Sequence, residues 1–141
     1  MRIHMMRMIV TLIVTTAAAL GIVGSAVAAD LTGQEIKALI SGKTIYIQTT
    51  AASATGTAGQ GVVYFAADGT ALYKTLTGAI WHGTWVTKEK TLCVDWKERP
   101  NNACVRYIKN GEVITVLDAV TDQTRATIVK VADGNAEKIA P

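Results

Sequence analysis

From Thr44 onward the chain runs in short stretches where apolar and polar residues alternate, and turn-forming residues separate the stretches. A period of two is that of a β-strand with one buried face. The stretches are residues 44–49, 61–67, 70–76, 80–87, 91–97, 103–109, 112–118 and 124–131. Between them lie Asp68-Gly69, Lys88-Glu89-Lys90 and Asn110-Gly111. Two-residue turns with Gly second are strong hairpin signals, because a residue with positive φ lets the strands keep their twist. Residues 50–60 are small, polar and glycine-rich, which predicts a flexible loop. One helix precedes the strands. Thr32 and Glu35 have capping-box spacing. Ile36, Leu39 and Ile40 follow at helical spacing, and Gly42 is a stop. So short a helix needs a surface to dock on. Short turns force antiparallel neighbours. The predicted fold is mainly β: about eight antiparallel strands in a meander, closed into a small barrel or folded into a sandwich, with one short N-terminal helix.

The residues before Thr32 have another character. Arg2 and Arg7 precede an uncharged stretch from Met8 to Val23, and Ala26-Val27-Ala28 has the small-x-small pattern of a cleavage site. These are the three parts of a secretory signal. Residues 1–29 are therefore read as a cleavable signal peptide, residues 30–135 as one β-rich domain and residues 136–141 as a loose tail. Thr11, Thr15, Thr16, Gly21, Gly24 and Ser25 dilute the apolar stretch, which argues against a permanent span. The charge reading changes with it. The 141-residue chain carries +3, but all 11 acidic residues follow the signal, while two of the 14 basic ones lie inside it. About +1 remains, with no basic cluster, so a nucleic-acid partner is not expected.

Export also bears on the two cysteines. An even count in an exported chain favours a disulfide. In the hairpin around residues 98–102, pairing Cys93 with Cys104 sets Leu92 against Val105 and Val94 against Ala103. Every apolar partner then shares one face. Such a bridge stabilises by roughly 2–3 kcal/mol on the chain-entropy relation. Redox chemistry lacks a Cys-x-x-Cys, and zinc lacks enough ligands, so neither a metal nor a cofactor is expected.

Candidate chemistry is sparse. In Trp81-His82-Gly83-Thr84-Trp85, alternation puts Trp81, Gly83 and Trp85 on one face, and Gly83 leaves room for a ring or a backbone. Trp81 and Trp85 could form an aromatic ligand slot with His82 on its rim. The favoured reading is that they are core anchors, since aromatics dominate the burial energy of small domains. Trp96, Tyr64 and Arg106 complete the candidate ligand residues. Arg106 shares a face with Asp95 and Lys97. No nucleophile elbow, zinc helix or phosphate loop is present, and the only serines after the signal are Ser41 and Ser53. No catalytic residue is assigned.

The run Tyr64-Phe65-Ala66-Ala67-Asp68-Gly69, then Gly83-Thr84-Trp85, Leu92-Cys93 and Cys104, resembles a domain-of-unknown-function family of small exported alphaproteobacterial proteins. The opening helix followed by Ser41-Gly42-Lys43-Thr44 is similar too. The resemblance implies a periplasmic home and a small β-domain, and it carries no functional residues. The Gly-x-Trp element also resembles that of lipocalins and other calycins, although there it sits on the first strand and here it lies mid-chain. The expected function is a non-enzymatic periplasmic or secreted β-domain that binds a small ligand or an envelope component. The alternatives are a protein-interaction module, such as an inhibitor or assembly factor of the envelope, and a hydrolase using His82.

Overall fold

The structure, a computed structural model, describes Gly24, residues 27–99 and residues 102–141. Most of the segment read as a signal peptide lies outside the described residues. So do Pro100 and Asn101 in the loop after Trp96. The elements are β1 (Ala29–Asp30), α1 (Gly33–Ile40), β2 (Lys43–Thr49), β3 (Gly59–Phe65), β4 (Thr70–Lys74), β5 (Ile80–Lys88), β6 (Thr91–Trp96), β7 (Cys104–Asn110), β8 (Val113–Asp118) and β9 (Thr124–Asp133). Strands β2 to β9 pair in chain order, and β9 returns to β2. The expected meander is thus a closed eight-stranded barrel, with every neighbour antiparallel, rather than a sandwich. Closure satisfies the edge strands that an open meander would expose.

The two-residue β1 was not foreseen. It pairs with β7, with Asp30 opposite Ile108, and Leu31 N–H donates to the Tyr107 carbonyl at 2.9 Å. It runs beside β7 where β6 no longer does. The β6–β7 ladder is the shortest seam of the barrel, with only Leu92–Val105 and Cys93–Cys104 in register. Val94 and Ala103, expected as the next pair, are not joined. Cys93 and Cys104 form the disulfide, Cα to Cα 4.1 Å. The covalent link therefore sits on the barrel seam with the fewest paired residues.

Inward positions follow the alternation read from the sequence. Ile45, Val63, Phe65, Leu92, Trp96 and Tyr107 are buried in the core. Two glycines among them are required by neighbouring rings. A Cβ on Gly61 would meet the Tyr73 ring and hydroxyl at 2.8 Å, and one on Gly83 would meet the Trp96 ring at 2.7 Å.

Both ends of the barrel are covered. At the end where β2 begins and β3 finishes, α1 lies across the opening with Ile36 and Ile40 fully buried. Its capping box is formed as read, Glu35 N–H donating to Thr32 Oγ1 at 3.2 Å and Thr32 N–H to Glu35 Oε2 at 2.7 Å. Gly33 N–H donates to the Glu89 carbonyl in the β5–β6 turn, which ties the cap to the barrel rim. The opposite end is covered by residues 50–58, and this loop is not the free one expected. Ser53 is buried and donates through Oγ to the Thr57 carbonyl at 3.1 Å, and Thr49 Oγ1 reaches the same carbonyl at 2.7 Å. The tail also differs from expectation. Ile139 is buried, the Asn135 side chain bonds both its N–H and its carbonyl at 2.9 Å, and Tyr46 donates to Glu137 at 2.6 Å. A side chain that mimics a turn, plus one buried apolar residue, holds a segment whose composition signals nothing.

Candidate functional site

A cavity of about 100 Å3 lies inside the barrel. Its wall is mostly apolar and includes Ile45, Phe65, Leu92, Trp96, Tyr107 and Val116. The residues on it that carry a hydroxyl or a charge are few: Thr49, Ser53, Tyr73, Tyr107 and Arg125. An engineered cavity of about 150 Å3 binds benzene, so this one suits a molecule of about one ring. A larger volume, about 610 Å3, is a groove on the outer face beside the disulfide, lined among others by Thr84, Val86, Asp95 and Cys104. That groove is bordered by solvated side chains, whereas the inner cavity is walled by core residues.

The polar end of the cavity is made by a bulge. Val116 pairs with Ala126 and Leu117 with Thr124, so Arg125 has no partner in the ladder. A bulge of this kind re-aims a side chain. Strict alternation would put Arg125 outside because Ala126 faces inward, yet both residues line the cavity. Arg125 Nε donates to Asp118 Oδ2 at 3.0 Å, and one of its terminal nitrogens reaches the same oxygen. Asp118 also accepts from the backbone N–H groups of Val120 at 2.9 Å and Thr121 at 3.0 Å. Those N–H groups of Thr121 and Val120, reinforced by Arg125, hold its carboxyl down at about 2. A carboxylate fixed in this way balances the guanidinium charge at the cavity mouth.

Tyr73 also lines the cavity. The residue is 2% exposed, and its hydroxyl has no hydrogen-bond partner among the described residues. Its ring packs edge-on against Trp81, with centroids 5.6 Å apart, and tilted against Trp96 at 5.7 Å. Burial raises the phenol above its ordinary range, and the neighbouring Thr55 hydroxyl acts in the opposite sense. Thr55 is close enough to influence Tyr73 but does not meet hydrogen-bond geometry with it. Its Oγ1 lies 3.1 Å from Ser53 Oγ.

The six candidate ligand residues are not brought together. Trp96 alone lines the cavity. Trp85 faces inward but serves the core, edge-on to Phe65 with centroids 5.9 Å apart, and its Nε1 donates to the Ala66 carbonyl at 2.9 Å. Trp81 also points inward, half-buried against Tyr73 and Trp96. Tyr64, His82 and Arg106 lie on the outer face. His82 Nδ1 is 2.6 Å from Glu98 Oε1, and the His82 backbone N–H donates to the other oxygen of that carboxylate at 2.8 Å. The His82 hydrogen bond is the main reason the Glu98 carboxyl lies below its ordinary range. The pair joins the start of β5 to the loop after β6, and among the described residues no serine or threonine hydrogen-bonds to it. Arg106 bridges Asp30 of β1, at 3.2 Å, and Asp122. It anchors the N-terminal strand to the loop between β8 and β9.

Sequence reasoning missed Tyr73, Ser53, Asp118 and Arg125. Asp118 carried one usable signal, an aspartate at a strand end with a turn following, where its side chain can accept local backbone N–H groups. The others carried none, since a strand tyrosine and a loop serine are ordinary residues. Comparison with protein-family models, curated proteins and solved structures finds no match to this chain. Among the described residues no helix is long and apolar enough to cross a membrane. The disulfide is compatible with an oxidising compartment.

Proposed function

We propose that this protein is an exported, non-enzymatic binding domain of the periplasm whose barrel takes up one small, largely apolar molecule. The observation that carries the reading is the cavity itself, about 100 Å3 with a wall of core side chains. An eight-stranded barrel has an interior just wide enough either to fill with side chains or to hold one small ligand. Here the filling is incomplete. An empty apolar space forfeits dispersion contacts on all sides, and a fitting guest restores them. The N-terminal signal pattern and the stapled seam support a periplasmic setting. The external position of the His82–Glu98 pair favours a tie between strand and loop over general-base chemistry.

Thermal unfolding with increasing benzene tests the reading, with Ala126→Leu as the filled-cavity control, because Ala126 lines the cavity at 4% exposure. The melting temperature should rise saturably with benzene in the wild type, as expected for a ligand that binds the folded state only. The rise should vanish in a folded Ala126→Leu variant. No saturable rise in the wild type sinks the proposal.

A further inference from the structure

We propose a second binding site, outside the cavity, that takes one neutral sugar ring against Trp81 among four threonine hydroxyls. The site is a depression of about 180 Å3 between residues 50–58 and the turn that joins β4 to β5. It shares no lining residue with the cavity, so it stands apart from the reading above. Thr55 and Thr57 line it from the loop, Thr75, Leu76 and Thr77 from the turn. Trp81 is the one candidate ligand residue that reaches it.

The lining defines the class of ligand. Trp81 is half-buried and packs on Tyr73 and Trp96, so its indole is held in place. The hydroxyls beside it are exposed. Thr75 Oγ1 and Thr77 Oγ1 lie 3.2 Å apart. Only one of them can donate to the other, so the pair keeps one free O–H. Thr57 Oγ1 donates to the Thr55 carbonyl at 3.2 Å, and its oxygen keeps the capacity to accept. No charged side chain lines the site. A sugar ring matches this lining, because its C–H face is apolar and its hydroxyls both donate and accept. A hydrocarbon would cover the threonine hydroxyls and return no hydrogen bond. A carboxylate or an ammonium group would lose hydration and gain no counter-ion. The walls are also set in advance. Thr75 N–H donates to the Ala79 carbonyl and Gly78 N–H to the Thr75 carbonyl, both at 2.9 Å. A Cβ on Gly59 would overlap Leu76, so the turn is seated directly on the stem of the loop. Little ordering is left for the ligand to impose.

The test titrates the full disulfide-bonded protein with methyl glucopyranoside, methyl glucuronide and cyclohexanol, and follows the tryptophan indole N–H signals by NMR. The glucoside should shift the Trp81 signal saturably, in the millimolar range of a small open site. The glucuronide and cyclohexanol should each bind more weakly. Thr57 and Thr77 are exposed, so Thr57→Val and Thr77→Val should leave the melting temperature unchanged. Each should weaken glucoside binding about 2- to 10-fold, the span of one neutral hydrogen bond. Cellobiose separates the two sources of such a ring: binding tighter than the glucoside assigns a glycan chain, and weaker binding assigns a free sugar. The inference is overturned if the glucoside gives no saturable shift at Trp81, or shifts only Trp85 and Trp96. It is also overturned if cyclohexanol or the glucuronide binds as tightly as the glucoside, or if neither valine variant weakens binding. None of these failures touches the benzene test of the cavity.

Discussion

Gly83 and Trp96 face each other across the β5–β6 ladder, and the indole ring occupies the space that a side chain on Gly83 would need. A Cβ there would lie 2.7 Å from the ring and 2.8 Å from the Asp95 carbonyl oxygen. One neighbour is backbone, so the clash cannot be relieved by a rotamer change. Gly83→Ala should therefore destabilise the protein by about 1–3 kcal/mol, the usual cost of overpacking a core. Pairing it with Trp96→Leu should recover part of the loss. Chemical denaturation of the two variants measures both effects, and additive losses would show that the ring is not the obstacle.

The disulfide joins the barrel's shortest seam, where only two residue pairs hold β6 to β7. Cys93→Ser with Cys104→Ser should lower stability by about 2–3 kcal/mol, the chain-entropy value for a loop of this length. Amide exchange should rise first along the Leu92–Val105 seam rather than uniformly. Hydrogen-exchange mass spectrometry resolves this, and a uniform rise would place the weak point elsewhere.

Asp118 gives the acid limb of stability its shape. Its carboxyl titrates at about 2 in the folded protein against an ordinary value of 3.8. A folded value below the unfolded one contributes stability that is complete above about pH 4 and is lost as pH falls toward 2. The shift corresponds to about 2 kcal/mol. Asp118→Asn should flatten the slope of stability between about pH 2 and 4. At neutral pH it should also cost stability, because Arg125 loses its counter-charge at the cavity mouth. Urea midpoints measured across that pH range report both. An unchanged acid slope in the variant would mean that other carboxyls govern it.

The C-terminal segment is expected to contribute to the fold. Ile139 is 5% exposed, and Asn135 clasps its backbone at two points. Deleting residues 136–141 should cost about 1.5–3 kcal/mol, the value of burying one large aliphatic side chain. It should also free the Tyr46 hydroxyl, whose titration Glu137 now holds above its ordinary range. Thermal melts check the first expectation, and the ultraviolet titration of tyrosine the second.

The alternation of residues 91–97 and 103–109 by itself determined the hairpin, the register that sets Leu92 against Val105, and the facing cysteines. Alternation likewise put Trp81, Gly83, Trp85 and Trp96 on inner faces, and Thr32 with Glu35 specified the helix start. These are local matters, fixed by side-chain period, turn chemistry and capping within about a dozen residues. Barrel closure is not local. Ile45 meets Val131 and Tyr46 meets Lys130, strand partners that no nearby turn brings together. Only the closed sheet decided which inward residues fill space and which border a void, so Trp96 became cavity wall while Trp85 became core. The bulge that turns Arg125 inward, and the packing that seals the Tyr73 hydroxyl without a partner among the described residues, belong to the same level. Both depend on what arrives from strands far along the chain, and neither leaves a trace in the spacing of the residues themselves.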